Sequence, residues 1–288
     1  MRTKASRNIA VAVLSSIGIA LVTQSAVAGP FILDGTDADE HGQATATANQ
    51  DGWLYIQRGL ENLASAPSLT TPNRVVVALG SESTALAAVQ SAFNFSSLPS
   101  LGWTFSSVPV LTQATFTSAL AGAGIIHLDS GGNVGGGLAS AEEAVLTANA
   151  AAINTFVANG GGLFSHANDY GWLSALVPGL TALNVGDTGL QLTPAGTAAF
   201  PGLTNADLSA GPWHNAFGNV GTIPVLATGV GSFSGSPVII GSAGGSITNP
   251  DPIVAVPAPI AGAGVPAVAL LGLAGAWFVR RRTQKSAA

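Results

Sequence analysis

Four stretches of this chain gather residue types that do chemistry. "SHAND", Ser165 to Asp169, places a hydroxyl and an imidazole at the end of the apolar "GLF". "HLDSGG" puts Asp129 two residues after His127. "DGTDADEH" packs Asp34, Asp37, Asp39, Glu40 and His41 into one short run, and "GPWHNAFGN" sets Trp213 beside His214. A serine with a nearby imidazole could act as a nucleophile with its base. Carboxylates interspersed with histidine are candidate ligands for a divalent cation, Ca²⁺, Mg²⁺ or Zn²⁺ according to number and geometry. An indole on a loop could stack on a sugar ring.

Elementary geometry narrows these options. The chain has no cysteine, which removes thiolate nucleophiles, Cys-ligated metals and disulfides together. Successive side chains of a strand face opposite sides, so Ser165 and His166 cannot serve each other as nucleophile and base. A base would have to be His127, His41 or His214. Counted from Asp37 as an EF-hand loop, the acidic run has Gly42 at position 6 but Ala48 where the bidentate Glu belongs. A solvated turn whose Asp caps the next helix would carry the same charges. His127, between Ile126 and Leu128, reads as a core histidine, and Trp213 could equally be a packing anchor beneath its loop.

The elements that must position these residues alternate. "FILDG", "RVVVALG", "WTFSSVPVL", "IIHLDSGG" and "GLFSH" read as strands, the β-branched runs being of the kind buried on both faces of a parallel sheet. Between them, "WLYIQRGLENLAS" has Trp53, Ile56, Leu60 and Leu63 on one helical face. "SESTALAAVQSAF" reads as a helix capped by Ser81 or Ser83, and another runs from about Thr112 to Leu120. The span from Ser140 to Gly160 reads as one helix with a Ser140/Glu143 capping box and a glycine stop. Beyond residue 180, "LTALNV", "GLQLT", "IPVLATG" and "SPVIIGS" are strands that extend or cover the sheet edge. The expected fold is α/β: a mostly parallel, flavodoxin-like sheet with helices on both faces, plus a C-terminal transmembrane helix. In such sheets ligands bind outside the carboxyl ends of the strands, so Asp129, Ser165, His166, Asp169, Trp213 and His214 are the candidate crevice, with Asp34, Asp37, Asp39, Glu40 and His41 as candidate metal ligands.

The ends specify delivery. Residues 1–28 combine a basic start, an apolar run and "AVA" before Gly29, the pattern of a cleaved secretory signal. An α/β domain over 29–242 and a Gly/Pro-rich linker over 243–257 follow. Residues 258–282 hold a charge-free run from Ile260 to Val279 and a triple arginine, leaving 283–288 as a cytoplasmic tail. Seven of the nine basic residues lie in these ends. Residues 29–255 keep Arg58 and Arg74 against all 14 acidic residues, a formal charge of −12. Nucleic acid is therefore excluded as a partner, because phosphate contacts need clustered Lys and Arg. An acidic surface suits cations or neutral glycans.

"INTFVANGGGLFSHAND" resembles the helix-glycine-strand-histidine segment of the class I glutamine amidotransferase-like superfamily, in particular its trehalose-utilisation (ThuA-like) branch. "IIHLDSG" and "LTPAGTAAFPGLT" are similar to further parts of it, and the likeness spans roughly 31 to 245. The tail, with "VPAPIAGAG" before its apolar run, resembles the PEP-CTERM sorting signals of Gram-negative bacteria, with Ala258 in place of the usual acidic residue. The first resemblance implies an amidotransferase-like fold whose catalytic Cys is missing; the second implies an exosortase-type processing enzyme as partner. The expected protein is exported and membrane-tethered or surface-sorted. Its expected role is non-catalytic binding or assembly at the cell surface or in the extracellular matrix, with a glycan or matrix ligand. The alternative is a carbohydrate-acting or metal-assisted hydrolase using the acidic crevice.

Overall fold

The computed structural model describes residues 29–132 and 135–241. The signal, linker, membrane and tail segments expected at the two ends lie outside these residues. Among the described residues no helix is long and apolar enough to cross a membrane.

The protein is a mixed α/β structure around a mostly parallel eight-stranded sheet. Strand β1 (Phe31–Asp34) leads through a hairpin of β2 (Gly42–Ala44) and β3 (Asn49–Asp51) into helix α1 (Gly52–Ser65). Then come β4 (Val75–Leu79), α2 (Ser83–Phe95), β5 (Thr104–Val108), α3 (Gln113–Gly122) and β6 (Ile125–Leu128). Helices α4 (Ser140–Ala148) and α5 (Ala150–Ala158) precede β7 (Gly162–Ser165), and α6 (Leu173–Leu176) follows it. The rest comprises β8 (Thr181–Thr188), β9 (Leu190–Leu192), α7 (Pro194–Ala199), α8 (Asn205–Leu208), β10 (Pro212–Gly218), β11 (Val225–Gly229) and β12 (Pro237–Gly241). The sheet order is β5-β4-β6-β7-β1-β12-β11-β9. The first five strands are parallel, and β12, β11 and β9 continue the sheet antiparallel.

Strand alternation divides the interior into two cores. Ile32, Val76, Ile125 and Phe164 face α1 and α2, packing with Ile56, Leu60 and Leu63. Leu33, Val77, Ile126, Leu128 and Leu163 face the other way, onto Phe116 of α3, Leu146 of α4 and Ile153 and Val157 of α5. Each such side chain contributes about 1.5–3 kcal/mol by leaving water. A cysteine-free domain rests on that sum. Helix α1 approaches β7 so closely that a Cβ at Gly59 would run into the Phe164 ring.

Several local expectations are corrected. Residues 140–158 are not one helix: the backbone breaks at Asn149 (φ −110°, ψ 20°). There the Asn149 amide donates to Val145 O and exchanges hydrogen bonds with Gln113 at the start of α3, the competition with helix backbone that disfavours Asn in helix interiors. Glu142, not Glu143, closes the start of α4, accepting from the Ala139 amide at 2.9 Å. Neither Ser81 nor Ser83 caps α2, whose N-cap is Glu82 without a side-chain bond. Residues 212–218, read as a loop, are strand β10, paired antiparallel with β8 in a separate two-stranded ribbon. Gly160 does stop α5, at φ +86°.

Candidate functional site

The loops after β1, β6 and β7 meet at one pole of the sheet, and all four histidines of the chain contact an aspartate there. Two layers result. The lower is wholly buried: Asp34, His127, Asp129 and His166 are each 0% exposed. His127 and Asp129 are two residues apart on one strand, so they share a face; β6 pairs with β7 so that His127 lies beside Phe164, and His166 follows on the same face.

His166 Nδ1 lies 2.9 Å from Asp34 Oδ2, and His127 Nδ1 lies 3.0 Å from Asp129 Oδ1. The two Nε2 atoms are 3.1 Å apart. That contact is a hydrogen bond only if one Nε2 carries a proton and the other does not. Each Nδ1 faces its carboxylate at ion-pair distance without an aligned hydrogen bond, so a proton on the imidazole pair would be held between two aspartates chiefly by charge. Burial alone would lower the His166 pKa, but the close contact and charge of Asp34, helped by Asp39 and Asp129, push it up to about 9. Burial holds His127 below its ordinary value despite Asp129. The opposite shifts favour a proton on His166 over one on His127. Thr36 secures Asp34 through its amide at 2.8 Å and its hydroxyl at 2.7 Å. Asp39 is also buried, and burial together with the Asp129 charge raises it to about 7, against His166 and the 2.9 Å bond donated by Ser130.

Above this layer opens a cleft of about 520 Å³. Its walls include Asp37 and Glu40 after β1, Ser130 to Gly132 after β6, and Ala167 to Asp169 after β7. Glu143 of α4 and Asn184, Pro212, His214 and Asn215 of the β8–β10 ribbon complete it. The ribbon is pinned to the sheet where the His214 amide donates to Gly35 O at 2.7 Å. Any Cβ at Gly35 would strike the Asn215 carbonyl. Burial and the nearby Asp169 charge raise the Glu143 carboxyl above its usual range, an amide hydrogen bond from Asp169 opposing them. Arg58 is paired with Glu61 at 2.7 Å and Arg74 with Leu101 O at 2.7 Å, and neither lines the cleft.

The expected site residues divide between these layers. Asp169 and His214 line the cleft, as do Asp37 and Glu40. Asp129 and His166 do not: both are sealed beneath it. Ser165 is corrected as well. It is fully buried on the sheet face opposite His166, where its Oγ accepts from Asn168 Nδ2 at 2.8 Å. Trp213 points inward with 0% exposure and packs edge-on against Phe233, because alternation along β10 sends His214 out and Trp213 in. Of the five candidate metal ligands, Asp34 is turned to His166 and Asp39 to Ser130, whereas Asp37, Glu40 and His41 each bring one ligand atom to within 4.8 Å of the others.

Sequence reasoning missed the link between His127 and His166, Glu143, and the amides of Asn168, Asn184 and Asn215. It also missed Tyr170, a non-glycine residue at φ +50° whose hydroxyl donates to Asp34 O at 2.7 Å and so ties the end of β1 to the loop after β7. Only Asn168 carried a signal, its place within "SHAND". A second cavity, about 580 Å³ between α3 and α5, lies at the other end of the strands, and no charged residue lines it.

What fold and site define is an α/β domain with an acidic, amide-lined cleft over a buried Asp-His-His-Asp string. Compared with family models, curated proteins and solved structures, the chain matches none.

Proposed function

We propose that the chain is an exported, membrane-tethered or surface-sorted domain that binds a neutral, hydroxyl-rich ligand, a glycan or matrix polymer, without chemically altering it. One observation carries this reading: among the described residues of the cleft wall, the serine hydroxyl donates to a buried carboxylate. Ser130, the cleft's serine, donates to the carboxylate of Asp39, and the imidazoles of His127 and His166 are sealed below. Carboxylates and amides are instead the groups that exchange hydrogen bonds with sugar hydroxyls. A wall without Lys or Arg favours neutral over anionic ligands. In this reading the domain is an amidotransferase-like, flavodoxin-like relative of the ThuA-like branch without the catalytic Cys. The segment from 258 to 282 is its membrane anchor and the substrate of an exosortase-type enzyme, and the domain works on the outer face of a bacterial membrane or beyond it.

Equilibrium binding of neutral oligosaccharides to the full chain tests this. Saturable binding that weakens about tenfold in Asn184→Ala with Asp169→Ala is expected, a hydrogen bond or two lost at about 1 kcal/mol each. Absence of binding across neutral glycans would remove the reading. The alternative, a metal-assisted carbohydrate hydrolase, needs an ion at the cleft wall to make a nucleophile of water.

A further inference from the structure

We propose that Asp37, Glu40 and His41, with His214 as an additional ligand from the facing ribbon, bind a divalent transition-metal ion at the cleft wall. The assignment concerns the same cleft as the glycan reading but not its organic ligand: the hydrolase alternative requires such an ion, but the ion alone does not establish turnover, which the mass of a retained glycan reports.

The geometry is assembled from separate elements. Asp37, Glu40 and His41 come from the turn after β1, and one ligand atom of each lies within 4.8 Å of the others. The Nε2 atoms of His41 and His214 both converge on Asp37 Oδ2, at 3.3 Å and 3.0 Å. His214 arrives from β10, some 177 residues away in sequence.

A second observation is independent of this clustering. Asp37 is only 6% exposed, lines the cleft, and its Oδ1 has no hydrogen-bond partner. A desolvated carboxylate oxygen left without a partner is costly, and a bound cation would offset that cost. The Gly135 amide donates to Glu40 Oε1 at 3.0 Å and so fixes that carboxylate. The backbone that carries these side chains is fixed in advance. The Glu40 amide donates to Asp37 O, the Gly52 amide to His41 O, and the Trp53 indole to Asp39 O.

The donor set selects the ion. Two carboxylates with one or two imidazoles suit Zn²⁺ or its first-row neighbours, whereas Ca²⁺ prefers six to eight oxygens. An ion here would face the hydroxyls of whatever the cleft holds.

The test is thermal unfolding and titration calorimetry of the untagged full chain, stripped with EDTA, with Zn²⁺ alone as the probe and Ca²⁺ for comparison. At a hundredfold excess over Kd, Zn²⁺ should raise the melting temperature by roughly 5–10 °C. Ca²⁺ should do no more than matched ionic strength. Asp37→Asn and His41→Ala, each compared with its own metal-free melt, should lose the rise, while Glu82→Gln, outside the cleft, keeps it. His41 is partly exposed, so its variant remains informative if Asp37→Asn folds poorly. No Zn²⁺ response, or a response that persists in His41→Ala, would overturn the proposal. Glycan binding measured in EDTA reports on the binding reading separately.

Discussion

His166 Nε2 lies 3.1 Å from His127 Nε2, and each ring turns its other nitrogen to its own aspartate. The two imidazoles, contributed by neighbouring strands, are placed to share one proton between Asp34 and Asp129. The string joins the ends of β1, β6 and β7, the strands whose loops build the cleft. None of its four members lines the cleft wall, and their mutual contacts tie those three strand ends together.

Breaking the string should be costly because it strands a buried charge. His166→Leu removes the imidazolium and leaves Asp34 and Asp129 uncompensated, an expected loss of about 3–5 kcal/mol. For a domain of this size the melting temperature should drop by on the order of 10 °C. In a double-mutant cycle, His127→Gln and His166→Gln should couple by about 0.5–3 kcal/mol. Strictly additive losses would show that the two rings do not share a proton.

The same string sets a pH dependence. The folded-state pKa of His166, about 9, lies above the ordinary value of 6.5. The native state therefore holds this proton more tightly than the unfolded chain. The stabilisation is complete below pH 6.5 and is lost as pH rises toward 9. Asp39, raised from 3.8 to about 7, acts in the same direction at lower pH, because its proton also belongs preferentially to the native state. His127, held below 6.5, opposes both under acidic conditions. Thermal melts from pH 6 to 9.5 should show a falling midpoint, with the fall above pH 7 much reduced in His166→Gln. A flat profile in the parent protein would contradict the assigned protonation.

Ser165→Ala should change neither ligand binding nor any turnover, because its hydroxyl is buried on the far face of the sheet from His166. A fluorophosphonate probe should leave Ser165 unlabelled. Covalent labelling there would revive a serine hydrolase.

Deleting Ile260 to Ala288 should release the protein from the membrane fraction, since that segment carries the longest uncharged apolar run of the chain. Fractionation followed by immunoblotting checks this, and a truncated chain that still sediments with membranes would refute the tether.

Much of the architecture was legible because single residues dictated it. The β-branched "VVVAL" and "IIHL" can only be buried strands, and Gly160 marks the end of α5 by the positive φ it adopts. The placing of Ser165 and His166 on opposite faces follows from alternation alone. What was not legible depends on contacts remote in sequence. The break at Asn149 needs Gln113, which lies 36 residues earlier. Strand β10 was hidden by an irregularity between Trp213 and Asn215 that upsets its period of two. His127 gave no sign of its partner because His166 is 39 residues away on another strand. Trp213 looked like a loop residue until β10 supplied an inward face.

The central claim is that the cleft binds and does not transform its ligand. Its most direct test is mass spectrometry of a neutral glycan library after prolonged incubation with the full chain, comparing the retained fraction with the input. The account predicts a retained subset of unchanged mass that disappears with Asn184→Ala and Asp169→Ala. Shortened or otherwise altered glycans, accumulating with the parent protein and not with that variant, would contradict it.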